Sequence, residues 1–175
     1  MASFRDDDQN YQRVDYRLLQ NGAVTLYCRR AYLEEDLAWL VAHGYRIHRW
    51  DTSRWHSEAE MHSAIASELA FPDYYGKTLD ALYDCLSDLE IPSAAGLALV
   101  LDRFESFARQ SQGVAQAMLD IAQAASRSYL LFGHRFLVLV QSDDSQIEFE
   151  PLGAVPVNWN HREWSRHSRD RNRAT

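Results

Sequence analysis

The sequence is poor in features that mark several large classes of protein. Its 175 residues hold two cysteines, Cys28 and Cys85. That is too few for a disulfide framework in a chain this size, so both are read as free thiols and a reducing compartment is expected. Long apolar runs are missing too: Leu97 to Leu101 and Phe136 to Val140 are the longest, far too short to cross a bilayer. The start, MASFRDDDQN, has no apolar stretch behind a basic segment, and a soluble, cytoplasmic protein with no membrane partner is expected. No glycine-rich phosphate loop, Cys/His cluster, His-Glu-x-x-His arrangement, internal repeat or low-complexity tract occurs, so neither cofactor nor metal is expected. Basic residues are outnumbered, 18 against 25 acidic, for a net charge of −7. That balance disfavours nucleic acid as a partner and favours a cationic one.

What is present is ordinary globular material, 46% hydrophobic and 12% aromatic, enough for one sizeable core. Residues 1–13 are polar and expected to lack fixed structure. Two short segments between Val14 and Cys28 flank Asn21-Gly22, the pair a type I′ turn requires, and predict a β-hairpin. A helix is predicted from Ala31 to His43, stopped by Gly44, followed by a strand over Tyr45–Trp50. Ser57 and Glu60 form a capping-box pair opening a helix to Leu69, which Pro72 prevents from continuing. Leu79, Leu82, Leu86 and Leu89 line one stripe of a helix from Thr78 to Leu89. The two apolar runs read as strands buried on both faces, separated by a helix over 114–128, so parallel pairing with a right-handed crossover is predicted. Beyond Ser142, a strand at Ile147–Phe149 and a frayed basic end after Asn160 are expected.

The informative stretch is LAFPDYYGKTLDALYDCLSDLE, residues 69–90, where five carboxylates face the single Lys77 and more than half of the net charge resides. On a helix, Asp80 and Asp84 share a face roughly opposite the leucines, bordered by Tyr83, with Ser87 in line. Like charges at this spacing cost an isolated helix about 0.2–0.5 kcal/mol. Local stability does not ask for them, although many acidic helix faces are simply solvated. Just ahead, Tyr74-Tyr75-Gly76 stands in a Pro/Gly-bounded loop. Tyrosine beside carboxylate is interface chemistry, but spacing alone equally allows both rings to cover the core.

The segment FPDYYGKTLDALYDCL closely resembles the signature of barstar-related proteins, intracellular inhibitors of barnase-like ribonucleases; a weaker resemblance runs from about Gly44 to Gln141. It implies an α/β fold with a three-stranded parallel sheet packed with helices, elaborated here by the N-terminal hairpin and helix of residues 14–43 and by residues 142–175. It also implies a partner-binding face. Tyr74 would stack at the mouth of the nuclease site, Gly76 would allow close backbone approach, and Asp84 would be the principal anionic anchor in a phosphate-receiving pocket. Asp80 would pair with a peripheral cation, and Tyr83 stands where barstar has tryptophan. Thr78, in place of an asparagine, Leu79, Ser87 and Ile121 complete the face. Ala124 falls where barstar supplies a glutamate.

The expected function is inhibition of a small basic ribonuclease or toxin by a monomer that mimics the substrate phosphate. An alternative is an interaction module of the same fold binding a basic non-nuclease protein. A hydrolase using Asp80 and Asp84 is disfavoured, because two solvent-facing neighbours on one helix lack the differing environments that separate acid from base. His43, His48, His56 and His62 read as surface or capping residues, and Asp143-Asp144 as turn formers.

Overall fold

The structure is a computed structural model describing residues 8–91, 95–164 and Arg169. Five strands form one parallel sheet: β1 (Val24–Tyr27), β2 (Arg46–Asp51), β3 (Leu97–Asp102), β4 (Phe136–Gln141) and β5 (Asn158–Trp159), in the order β2-β3-β4-β1-β5. The middle of the sheet explains the unbroken apolar runs. β3 and β4 pair in register, Leu99 beside Val138, and every residue of both is buried. Leu97, Leu99, Leu101, Val138 and Val140 point into one core, under α3 (Glu58–Glu68), α4 (Leu79–Ser87), α5 (Phe104–Gln110) and α6 (Gln112–Leu131). The alternate residues Ala98, Val100, Leu137 and Leu139 enter a second core on the other face, with Leu33, Leu37 and Leu40 of α2 (Arg30–Ala42). A strand covered by helices on both sides has no polar face to alternate with.

Strands β2, β3 and β4 make the expected parallel three-stranded unit, and β1 and β5 extend it to five. The predicted hairpin is not formed. Val14–Leu19 is a helix, α1, which buries Val14 and Leu18, and β1 pairs in parallel with β4, Val24 beside Val138. Gly22 has φ +104° and follows the helix end, its N–H reaching the Leu19 carbonyl at 3.3 Å. A type I′ turn and a helix stop both call for positive φ, so Asn-Gly cannot distinguish them, and the distant β4 decides. α5 is unanticipated; Phe104, Phe107 and Ala108 supply its buried stripe. Ile147–Phe149 forms no strand: Ile147 and Phe149 pack on the first core without a pairing partner.

Among the described residues, the segments next to both ends are more ordered than composition implied. A 3-10 turn occupies Asp8–Gln12, within the segment expected to be unstructured; residues 1–7 lie outside the described residues, as does most of the basic tail after Trp164. The part of that tail before it is docked rather than frayed. Glu163 is fully buried, its carboxylate accepting from the Cys28 and Arg29 N–H groups at 2.9 and 2.7 Å. It thereby caps the start of α2, for which no side-chain cap within the helix exists. At the opposite, amino-terminal end of the strands Asp15 is buried and accepts from Tyr45, Arg135 and Arg13 at 2.6, 2.8 and 2.7 Å. The Tyr45 ring leaves no room beside Gly96, where a Cβ would come within 2.5 Å of it. Among the described residues, no helix is long and apolar enough to cross a membrane.

Candidate partner-binding face

The acidic segment is built outward from α3. Ser57 caps that helix by accepting from Glu60 N–H at 3.2 Å, while the Glu60 carboxylate reaches back to His56 N–H at 2.6 Å. At its far end the Phe71 N–H bonds the Ala66 carbonyl at 2.9 Å, and Ala70 takes φ +51°. This is a Schellman stop with alanine where glycine is usual. Replacing Ala70 by glycine is therefore expected to stabilise the protein by about 0.5–1 kcal/mol, because the left-handed strain relieved, about 1–2 kcal/mol, exceeds glycine's additional unfolded-state entropy, about 0.4–1 kcal/mol. Thermal unfolding checks this, with a rise of roughly 1–4 °C expected.

The loop that follows settles the two tyrosines in opposite senses. Tyr75 turns inward: its hydroxyl lies 2.5 Å from Nδ1 of His62, and its ring meets Phe71 edge-on at 5.0 Å. Burial pushes the Tyr75 hydroxyl up to about 12, so it stays protonated in its hydrogen bond with His62. Glu58 then faces the other ring nitrogen at 3.4 Å. His62 is thus a buried anchor for the loop rather than a surface residue. Tyr74 turns outward and is 87% exposed. Lys77 reaches back to the Ser63 hydroxyl at 3.1 Å.

Thr78 caps α4, its hydroxyl accepting from Ala81 N–H at 3.2 Å. Leu82 and Leu86 are buried and Leu79 half-buried, whereas Gly76, Asp80, Tyr83 and Asp84 are exposed. At the other end the Tyr129 hydroxyl lies 2.9 and 2.8 Å from the Leu86 and Leu89 carbonyls, satisfying acceptors that the helix leaves open. Ser87 is half-buried, its hydroxyl meeting no partner among the described residues. α4 is therefore rigid beneath and charged above. Among the described residues, Asp80 and Asp84 form no ion pair, while acidic groups at the carboxyl ends of the strands do: Asp102 with Arg49 at 2.5 Å, Asp144 with Arg109 at 2.8 Å, and Asp51 with Arg103.

Beside α4, Ile121 of α6 is half-buried next to a cleft of about 300 Å³ whose lining includes Tyr83, Asp120, Ile121, Ala124, Arg127 and Gly153. Gly153 belongs to the C-terminal extension and is held there by its N–H bond to Asp120 at 2.9 Å. Sequence reasoning missed Asp120, Arg127 and Gly153. The first two are legible as helical neighbours of Ile121 and Ala124, but Gly153 carries no local signal. Cys85 is half-buried and burial raises its thiol; Cys28 is buried and pushed up to about 11, so neither is an activated nucleophile. No group of three or more metal-capable side chains occurs among the described residues.

Comparison with known proteins bears on this face. Residues 45–141 match the family model described as Barstar (barnase inhibitor). The chain belongs to the barstar family. It is 39% identical over 66 residues to the Bacillus subtilis (strain 168) protein named "Putative ribonuclease inhibitor YrdF", covering 37% of this chain and 68% of that relative. The loop, α4 and Ile121 lie within the barstar match; α1, α2, β1 and the Gly153 wall lie outside it.

Proposed function

We propose that this chain inhibits a small basic ribonuclease of the barnase type inside the cell, blocking its active site stoichiometrically without catalysing a reaction. The observation carrying the proposal is the pair of exposed carboxylates, Asp80 and Asp84, unpaired among the described residues on a helix braced from below and flanked by exposed Tyr74 and Tyr83. A ribonuclease cleft lined with cations to bind polyanionic RNA complements that face. Asp84 enters the pocket that otherwise receives a substrate phosphate, and Asp80 pairs with a cation at its rim. Tyr74 stacks at the mouth, and Thr78, Leu79, Tyr83, Ser87 and Ile121 complete the contact.

Gly76 supports this reading in its own way. It does not adopt positive φ, and a Cβ there would meet only Ala81 at 3.9 Å. The fold does not require glycine at 76, so its worth lies in letting a partner approach the backbone. Gly76→Ala is expected to leave the melting temperature within a few degrees of the parent while weakening inhibition at least tenfold. A variant that inhibits as well as the parent would remove Gly76 from the contact.

The direct test is RNA cleavage by a panel of small basic ribonucleases with and without the purified protein. Inhibition is expected at one-to-one stoichiometry, with an association rate falling about tenfold or more between low and high salt. Undiminished cleavage across the panel would overturn the proposal.

A further inference from the structure

A second cleft, of about 470 Å³, lies at the other edge of the molecule, between α1, β1 and the C-terminal segment. Its wall is fixed. The Asn160 N–H bonds the Leu26 carbonyl at 2.7 Å, its side-chain amide donates to buried Asp36 at 3.0 Å, and the guanidinium of Arg169 stacks on Trp159 at 4.5 Å. Its chemistry is one-sided. In a protein of net charge −7, the lining contains Arg17 and His161, the amides of Gln20, Asn21 and Asn158, and no carboxylate. Among the described residues the Arg17 side chain is in no ion pair, and its Nε is buried without an acceptor, an arrangement that costs free energy until an acceptor arrives. Partial burial, helped by the charges of Arg17 and Arg162 and opposed by that of Asp36, holds His161 below its usual range. Two indoles border the same space, Trp159 and Trp164, the latter 79% exposed.

We infer that this cleft binds a small planar aromatic anion, its carboxylate or phosphate on the Arg17 guanidinium and its ring against Trp159 and Trp164. A planar guanidinium presents paired donors to either oxyanion. Indoles supply flat apolar area beside a polar tip, and the volume falls in the range of small-ligand sites. The site is formed by residues outside the 45–141 family match. Its lining straddles the β5 edge of the sheet, Leu18 packing on the second core and Trp159 on the first, and includes no residue of α4 or of the loop before it, so it stands or falls separately from ribonuclease inhibition.

The test uses the full chain with benzoate, adenosine 5′-monophosphate and inorganic phosphate as probes. It follows the indole N–H signals of Trp159 and Trp164 and the His161 ring by NMR. Benzoate or adenosine monophosphate is expected to bind saturably at about 1 mM or tighter and to raise the pKa of His161. Arg17→Gln should weaken that binding at least tenfold while leaving ribonuclease inhibition unchanged. Trp164→Ala, at a surface position, should weaken the aromatic probes but not phosphate. Three results would overturn the inference: no saturable shift with either aromatic probe, binding indifferent to Arg17→Gln, or phosphate binding as tightly as both aromatic probes.

Discussion

Asp84→Ala should weaken inhibition of a responsive ribonuclease by about 30-fold to several thousand-fold, corresponding to roughly 2–5 kcal/mol, the range for truncating one member of a buried, hydrogen-bonded interfacial charge pair. The size follows from what is left behind. A cationic pocket closed over an alanine retains its desolvated charges without a counter-ion, and that penalty exceeds the worth of any single surface contact. The free protein should not suffer: Asp84 is exposed and unpaired among the described residues, and removing it relieves repulsion from Asp80 by about 0.2–0.5 kcal/mol. Inhibition and stability are therefore expected to move apart. Asp143→Ala is the control. That carboxylate accepts from the Gln141 amide at 2.7 Å in the turn after β4, away from α4, and inhibition should stay within about twofold of the parent. Equal losses from the two variants would refute the assignment of Asp84 as the anchor.

The second large effect concerns the fold. Asp15→Ala is expected to cost about 3–5 kcal/mol of stability, because it strips the counter-ion from Arg135 and Arg13 and the acceptor from Tyr45 in a buried cluster. Chemical denaturation at neutral pH measures this as a lowered midpoint. The cluster also has a pH signature. Burial alone would raise the Asp15 carboxyl, but hydrogen bonds from Arg13, Tyr45 and Arg135 outweigh it, and the net shift is downward. A carboxyl lowered on folding contributes stability that is complete above its unfolded value, about 3.9, and is lost as pH falls through the folded value. Parent stability should therefore fall more steeply below about pH 4 than that of Asp15→Asn, which has no proton to take up there. Parallel acid limbs would show that Asp15 is not held as an anion by this cluster.

Much of the architecture was legible because burial imposes periodicity. Leu79, Leu82 and Leu86 specify α4 and the side it hides, and the unbroken runs at 97–101 and 136–140 announce strands covered on both faces. The ends were less legible. Asn21-Gly22 meets the dihedral demand of two structures equally well. β5 is two residues long and owes its existence to β1, Leu26 beside Trp159. Residues 160–164 read as the start of a loose tail because composition does not reveal that Glu163 caps α2.

At the candidate site, composition and spacing alone established which residue types stand together: aspartates four apart on an amphipathic helix, preceded by paired tyrosines and a glycine. Only the folded chain decided their presentation. His62, thirteen positions before Tyr75, draws that ring inward and leaves Tyr74 in solvent; Asp120 holds Gly153 against α6 and so raises the far wall of the cleft beside Tyr83. Side-chain spacing reports which face of an element is apolar, a property set within a few residues. Which tyrosine is tethered, and which carboxylates remain without a counter-charge, depends on partners that chain folding brings from elsewhere.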